Sequence, residues 1–240
     1  MTDQNSIASH SESPTLLFAN SAQRDFFRGA VLGARSLGFE HSAYLIGVPG
    51  RGVGWRFVMT SNFPRPWQER YLKHGYHAID PTIEHAKTSV LPLIWSSALF
   101  DQALARDARE LGFNHGWTQP LRASNGKFGA LTLARSQGAI SADELEAKLP
   151  MMQWLAQVVH ARLFREFLAR QRNESSTRLS ERELEVLRLA SEGGTAGDIA
   201  ELTGVGERTV NFHIANIISK LGATNKTHAV TLAMRLGLLD

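Results

Sequence analysis

The chain has 240 residues, with 26 Lys+Arg against 23 Asp+Glu, a formal net charge of +3 and no cysteine. At 43 % hydrophobic and 20 % charged residues it reads as an ordinary globular protein of one or two domains, and the absence of cysteine excludes a disulfide scaffold, a thiolate metal site and a Cys nucleophile. No run nears the ~18 apolar residues of a membrane span, and Met1–Pro14 is polar and Ser-rich with no apolar signal core, so a cytoplasmic protein without membrane contact is expected.

Residues 1–17 read as a loose tail. Between Asn20 and Leu37 apolar residues recur at Phe26, Phe27, Ala30, Val31, Ala34 and Leu37, a helical stripe. His41–Val48 and Trp55–Ser61 read as strands joined through Pro49-Gly50-Arg51-Gly52. Pro64–His74 is a short helix that puts Trp67 and Tyr71 on one face. Asp80-Pro81 reads as an N-cap with proline at the first helical position. Val90–Trp95 is a short strand, and Gln102–Leu111 a helix stopped by Gly112. Gly116–Arg122 and Phe128–Arg135 are strands around the hairpin signal Ser124-Asn125-Gly126-Lys127. Ser141 and Glu144 form a capping box, Pro150 is expected to break or kink the helical pattern, and Met151–Arg170 continues as an amphipathic helix.

Nineteen of the 20 aromatic residues lie before residue 171, and all eight prolines at or before Pro150. Gln171–Thr177 is polar and has no apolar anchor. The expected division is a domain over 1–170, a linker over 171–177 and a second domain over 178–240. In the second domain, caps at Ser180, Thr195 and Asn225 and glycines at Gly193-Gly194, Gly222 and Gly237 delimit four helices. A short helix from Thr195, the turn Thr203-Gly204-Val205-Gly206 and the longer helix Glu207–Lys220 make a helix-turn-helix, with Gly204 and Gly206 permitting its sharp backbone. The outward face of the longer helix carries Arg208, Thr209, Asn211, His213 and Asn216, side chains able to bond base edges or phosphates. The domain's net charge is −1, but residues 208–240 hold four basic residues against one acidic, a net of +3. Non-specific DNA affinity should therefore be weak, and avidity from a dimer is expected.

Leu179–Leu187, Gly193, Ile199-Ala200, Thr209–Ile214, Lys220–Ala223 and Asn225-Lys226 together resemble the LuxR-type DNA-binding domain. By that resemblance Glu183, Leu187 and Gly193 fall on its most constant positions, and Val210 and Lys220 also match, which adds Lys220 to the DNA-binding set. Two departures stand out: Gly194 where the family usually has Lys, and Gly206 where a Ser cap is usual.

The first domain lacks the acidic cluster of a phosphorylated receiver. It offers instead an apolar, aromatic-rich α/β region with few polar groups converging. A carboxylate such as Asp80 can accept from an amide N–H, and an indole N–H such as that of Trp67 can donate to a carbonyl. Taken singly, a Trp or Tyr at helical spacing is ordinarily core, and Asp80 before a proline is ordinarily a cap. The run from Ser61 through Trp67 to Tyr71, with Asp80-Pro81, Trp95, Gly112…Gly116 and Leu131–Ala134, resembles the autoinducer-binding domain of LuxR-type quorum-sensing regulators over roughly 20–170. The resemblance implies an N-acyl-homoserine lactone ligand. Trp67 would donate to the lactone carbonyl and Asp80 accept from the amide, while Tyr71 and Trp95 wall the pocket. Thr132 would reach the amide carbonyl, and Gly116 matches a motif glycine. Phe63 stands where the family usually has Tyr, whose hydroxyl bonds the acyl carbonyl.

The expected fold is α+β: an N-terminal α/β/α sandwich around an antiparallel sheet, and a C-terminal all-α four-helix helix-turn-helix domain. The expected function is a ligand-responsive transcriptional regulator, a homodimer on an inverted-repeat DNA site. No cofactor, metal or enzymatic activity is expected, since no nucleophile–base pair or phosphate loop is present; His74, His77 and His85 read as surface residues. An orphan regulator sensing another molecule or none, a hydrolase of the lactone or acyl-amide, and an interaction protein that dimerises without binding DNA are the rival readings.

Overall fold

The computed structural model of the chain describes residues 21–50, 54–174 and 179–239. It divides into two compact units, Met1–Phe167 and Leu168–Asp240. The expected tail, the tip of the first hairpin at 51–53 and the last part of the expected linker lie outside the described residues.

The first unit runs α1 (Ser21–Ser36), β1 (His41–Pro49), β2 (Trp55–Ser61), α2 (Arg65–Lys73), α3 (Pro81–Thr88), β3 (Leu93–Ser96), α4 (Gln102–Glu110), β4 (His115–Arg122), β5 (Phe128–Arg135) and most of α5 (Ala142–Glu174). All five strands join one antiparallel sheet in the order β2-β1-β5-β4-β3. The β4–β5 turn places Asn125 at φ 58° and Gly126 at φ 70°, the paired left-handed residues of a two-residue hairpin. Residues 42–48 of β1 are buried at every position, so both faces of the sheet are covered. One face meets α5, where the buried Tyr44 hydroxyl bonds His160 Nδ1 at 2.7 Å. The opposite face, carrying Ala43 and Leu45, packs against residues of α2, α3 and α4. This is the α/β/α sandwich.

Local differences from the sequence reading have physical causes. Pro150 does not interrupt α5, which is one helix of 33 residues. A proline removes one helical donor and costs about 3 kcal/mol, and the buried Met152, Ala156, Val159 and Leu163 continue one packed stripe beyond it. The helix also carries through Gln171–Glu174, the first part of the expected linker. The edge strand β3 starts only at Leu93, after the exposed Val90 and Leu91 and after Pro92, which has no N–H for a ladder. His77 is not on the surface: it is buried beside Phe57, and burial lowers its pKa.

Ser141 does cap the Glu144 amide at 3.1 Å, but the Glu144 side chain does not close the box. It is held by Arg135 at 2.7 Å through both oxygens and by Lys148 at 2.7 Å, and Lys148 also bonds the Leu37 carbonyl. That cluster ties the end of β5 to α5 and to the end of α1.

The second unit holds α6 (Glu181–Ser191), α7 (Ala196–Thr203), α8 (Glu207–Leu221) and α9 (Lys226–Leu236). Two complete capping boxes, Ser180/Glu183 and Thr195/Asp198, start α6 and α7. Gly222 and Gly237 end α8 and α9 in the left-handed conformation. The core is built on Leu187, Ile199, Val210, Ile217 and Ala233, all 2 % exposed or less.

The Arg135 guanidinium, with Lys148, holds the Glu144 carboxyl down at about 2. Its stabilisation is therefore complete above the ordinary value of 4.5 and is lost as pH falls from there toward 2. The pair is mostly buried, so the contribution is on the order of 2 kcal/mol. Glu144→Gln should lower the unfolding free energy by about that amount at neutral pH, with the deficit closing as pH falls toward 2. Urea unfolding across that range checks it, and a pH-independent deficit would contradict it.

Candidate functional site

On the face of the sheet opposite α5, the first unit encloses a cavity with about 680 Å³ of unfilled space, mouth included. Its floor is Ala43 and Leu45 of β1, Met59 and Ser61 of β2 and Ala130 and Thr132 of β5. Alternation on three paired strands aims these residues at one side. Its walls come from Phe63, Trp67 and Tyr71 at and within α2, from Asp80, Thr82 and Ile83 at the start of α3, and from Trp95, Phe100 and Phe113.

Asp80 is the polar centre of this site. Oδ1 accepts from the Thr82 amide at 2.8 Å and the Thr82 hydroxyl at 2.7 Å, capping α3 as the Asp-Pro pair predicts. Oδ2 accepts from the Tyr71 hydroxyl at 2.8 Å. The Ile83 backbone amide is a further donor to this carboxylate. Burial raises the Asp80 carboxyl above its ordinary value, opposed by the hydrogen bonds from Thr82 and Tyr71. Burial, then the facing carboxylate, pushes the Tyr71 hydroxyl well above the usual phenol range, which fixes it as a donor. The Trp67 ring packs on Tyr71, with centroids 5.7 Å apart, and its N–H has no acceptor among the described residues.

Trp95 is oriented from behind. Its indole N–H donates to the Thr118 hydroxyl at 3.0 Å, which in turn shares a 3.0 Å hydrogen bond with Thr132. Gly116 pairs with Trp95 across β3 and β4. A Cβ at Gly116 would lie 2.2 Å from the Trp95 ring and 2.6 Å from the Leu133 carbonyl. Gly116 is thus not a wall residue; it is the space in which the Trp95 ring lies. Phe63 is stacked on His41 and meets Phe113 edge-on at 4.7 Å, so an apolar ring fits there without a phenol. Of the seven residues read from sequence, Phe63, Trp67, Tyr71, Asp80, Trp95 and Thr132 converge on one cavity. Sequence reading missed the strand floor and Thr118. The floor has no alternating signal in β1, which is buried on both faces, and the Thr118–Thr132 link depends on the β4–β5 register.

In the second unit, α7 and α8 are joined by a turn in which Gly204 is left-handed at φ 69°. Gly206 is not: it is an ordinary extended N-cap at φ −75°, so only Gly204 is needed for its backbone conformation. Val210, Ile217 and Leu221 face the core, while Arg208, Thr209 and Asn211 are exposed and His213 and Asn216 are half-buried along the flank. Phe212, absent from the sequence-based set, is 62 % exposed on this helix. Lys220 is engaged elsewhere: its ammonium bonds both oxygens of Glu183 at 2.8 and 2.7 Å. Glu183 is 3 % exposed. Burial opposes its charge, yet the Lys220 ammonium and the Ser180 cap hold the carboxyl below its ordinary value. Gly194 is close-packed, since a Cβ would stand 2.9 Å from the Leu189 carbonyl, and its own carbonyl accepts from Lys226.

The autoinducer binding domain family matches residues 22–163. The family described as bacterial regulatory proteins, luxR family, matches residues 177–233. The transcriptional activator protein AnoR of Acinetobacter nosocomialis is 39 % identical over 210 residues, 86 % of this chain and 88 % of its own. The transcriptional activator protein SolR of Ralstonia nicotianae is 37 % identical over 219 residues, 90 % of this chain and 93 % of its own. The solved structure of Escherichia coli SdiA in complex with octanoyl-rac-glycerol is similar with a TM-score of 0.70 at 28 % identity, covering 89 % of this chain and 88 % of that one.

The Glu183–Lys220 pair gives a test within the second unit. Lys220→Ala strands a carboxylate in the core and should cost about 3 kcal/mol of stability, measured by urea unfolding of the full chain. A variant as stable as the wild type but weaker on DNA would instead make Lys220 a phosphate contact.

Proposed function

Because the chain belongs to the LuxR family of autoinducer-binding transcriptional regulators, we propose that its cavity receives an N-acyl-homoserine lactone and that its α8 helix reads DNA. The observation that carries the ligand reading is the pairing of the Asp80 carboxylate with a Trp67 N–H that has no acceptor among the described residues, in one otherwise apolar cavity. An acyl-homoserine lactone has a matching amide N–H, lactone carbonyl and apolar chain. The amide donates to Asp80 Oδ2, and the lactone carbonyl accepts from Trp67 Nε1. Trp95 can only donate, so it fills an acceptor site on Thr118 and favours Thr118 as donor to Thr132. The Thr132 proton is then free for the acyl carbonyl. This supplies a donor that Phe63 cannot. The octanoyl ester bound by SdiA supports a pocket for an acyl group on a polar head.

On DNA, Arg208, Thr209 and Asn211 at the start of α8 enter the major groove, with His213 and Asn216 along its flank. Lys220 acts through Glu183 and holds the helix in place. The weak overall charge of this unit favours two copies bound side by side on an inverted repeat. Leu32, Met151 and Trp154 are each more than half exposed, and they neighbour the contact of Gly33 with Leu155 between α1 and α5. A second copy of the chain would cover that apolar surface. The protein is thus read as a homodimer that couples ligand capture to DNA binding, since a ligand that completes the core stabilises only the folded state. No step of this reading calls for a cofactor or for catalysis.

Asp80→Asn keeps a helix cap but removes the charged acceptor, a hydrogen bond worth about 1.5–3 kcal/mol. The lactone concentration for half-maximal response should rise about 10- to 100-fold; an unchanged dose response would refute the assigned pocket. Asn211→Ala should weaken binding to the specific site by about 1–3 kcal/mol with less effect on random DNA. Competition mobility shifts check this, and equal losses would make Asn211 a backbone contact.

A further inference from the structure

The sheet face that carries the cavity floor has three successive cross-strand rows. The first is Ser61–Ala43–Thr132, the second Met59–Leu45–Ala130 and the third Phe57–Gly47–Phe128. All six residues of the first two rows line the cavity, and none of the third does. The third row is solid. Phe57 is 5 % exposed and Phe128 fully buried. The Phe128 ring lies over Gly47, where a Cβ would stand 2.3 Å from it. Trp55 braces the pair, stacked on Phe57 and edge-on to Phe128 with centroids 5.1 Å apart. Helix α3 follows the same ladder. Asp80 and Ile83 line the cavity, whereas Ala86, one turn further, is packed with Phe57 and Phe128.

We infer that this third row is the end wall for the acyl chain and restricts the ligand to short and medium chains, of about four to eight carbons. The inference rests on the reading of the cavity as a lactone site and sharpens its ligand class. Rows on one face of a strand are about 6.7 Å apart. An acyl carbonyl at Thr132 is therefore about 13 Å from the centre of the third row, and about 9 Å from the surface of its rings once a carbon–carbon contact of ~4 Å is taken off. An extended chain advances about 1.2 Å per bond, so roughly seven bonds fit beyond the carbonyl carbon. A twelve-carbon chain would have to displace Phe128 from over Gly47 or fold back on itself.

The test is a ladder of synthetic N-acyl-homoserine lactones with acyl chains of four, six, eight, ten and twelve carbons. The readout is the concentration of each that half-maximally raises the melting temperature of the full-length chain. The wild type should respond best at six or eight carbons and at least tenfold more weakly at twelve. Phe128→Leu opens the wall and should move the optimum up by two or more carbons, with at least a tenfold gain at twelve. Phe57→Leu provides the same test if the first variant does not fold, and the wild-type order requires no variant. A wild type that prefers twelve carbons or is indifferent to length overturns the end wall and leaves the lactone reading intact, as does a variant pair with unchanged order. A chain stabilised by no lactone of any length overturns the lactone reading, and the length limit with it.

Discussion

A single desolvated carboxylate sets the arrangement of the first unit. Asp80 starts α3, takes both donors of Thr82 and receives the Tyr71 hydroxyl from α2. Two helices are thereby fixed relative to each other by one group whose charge burial disfavours and hydrogen bonds support. Such a carboxylate persists among aromatic rings only when enough donors converge on it. The group that organises the walls is also the strongest acceptor the cavity offers. On the lactone reading, the ligand adds one more donor to a network already shaped to receive it.

The rest of the cavity is set by where the sheet has no side chain. Gly116 makes room for the Trp95 ring, Gly47 for Phe128, and Gly129 for His160 and the Tyr44 hydroxyl, each at a distance that a Cβ would not allow. A flat ring on bare backbone packs at crystal-like density, and it reaches places that a branched side chain would not. Gly116 lets Trp95 stand as a cavity wall beside Thr118 and Thr132, and Gly47 lets Phe128 pack flat on the sheet beyond the cavity floor.

The second unit works with fewer elements. Its charge is slightly negative overall, so on the proposed reading affinity for DNA rests on a small exposed set near the start of α8 rather than on a basic surface. The Glu183–Lys220 pair engages the Lys220 ammonium in holding α6 and α8 together. An ion pair with one buried partner is weak evidence for net stability, but it ties α8 to α6. The left-handed Gly204 contributes the turn ahead of α8.

Most elements of both units were legible in the sequence because their signals are local. Caps such as Asp80-Pro81 and Ser180, left-handed glycines such as Gly204 and Gly222, and the Asn125-Gly126 hairpin each dictate backbone within four residues. The aromatic and proline asymmetry likewise marked two kinds of folding unit. Where local rules compete with packing they gave way: Pro150 stays inside α5 because a continuous buried stripe outweighs one lost hydrogen bond. His77 is buried for its ring despite its polar atoms, and Glu144 leaves its own cap for Arg135 on another element. The sequence by itself determined which residues carry hydrogen-bonding chemistry and which segments are helix, turn or strand. Only the tertiary structure decided that Gly116 serves Trp95, that Lys220 serves Glu183 and that Phe57 and Phe128 meet across Gly47. Those facts depend on strand register and helix packing between residues far apart in the chain, where no short-range pattern reaches.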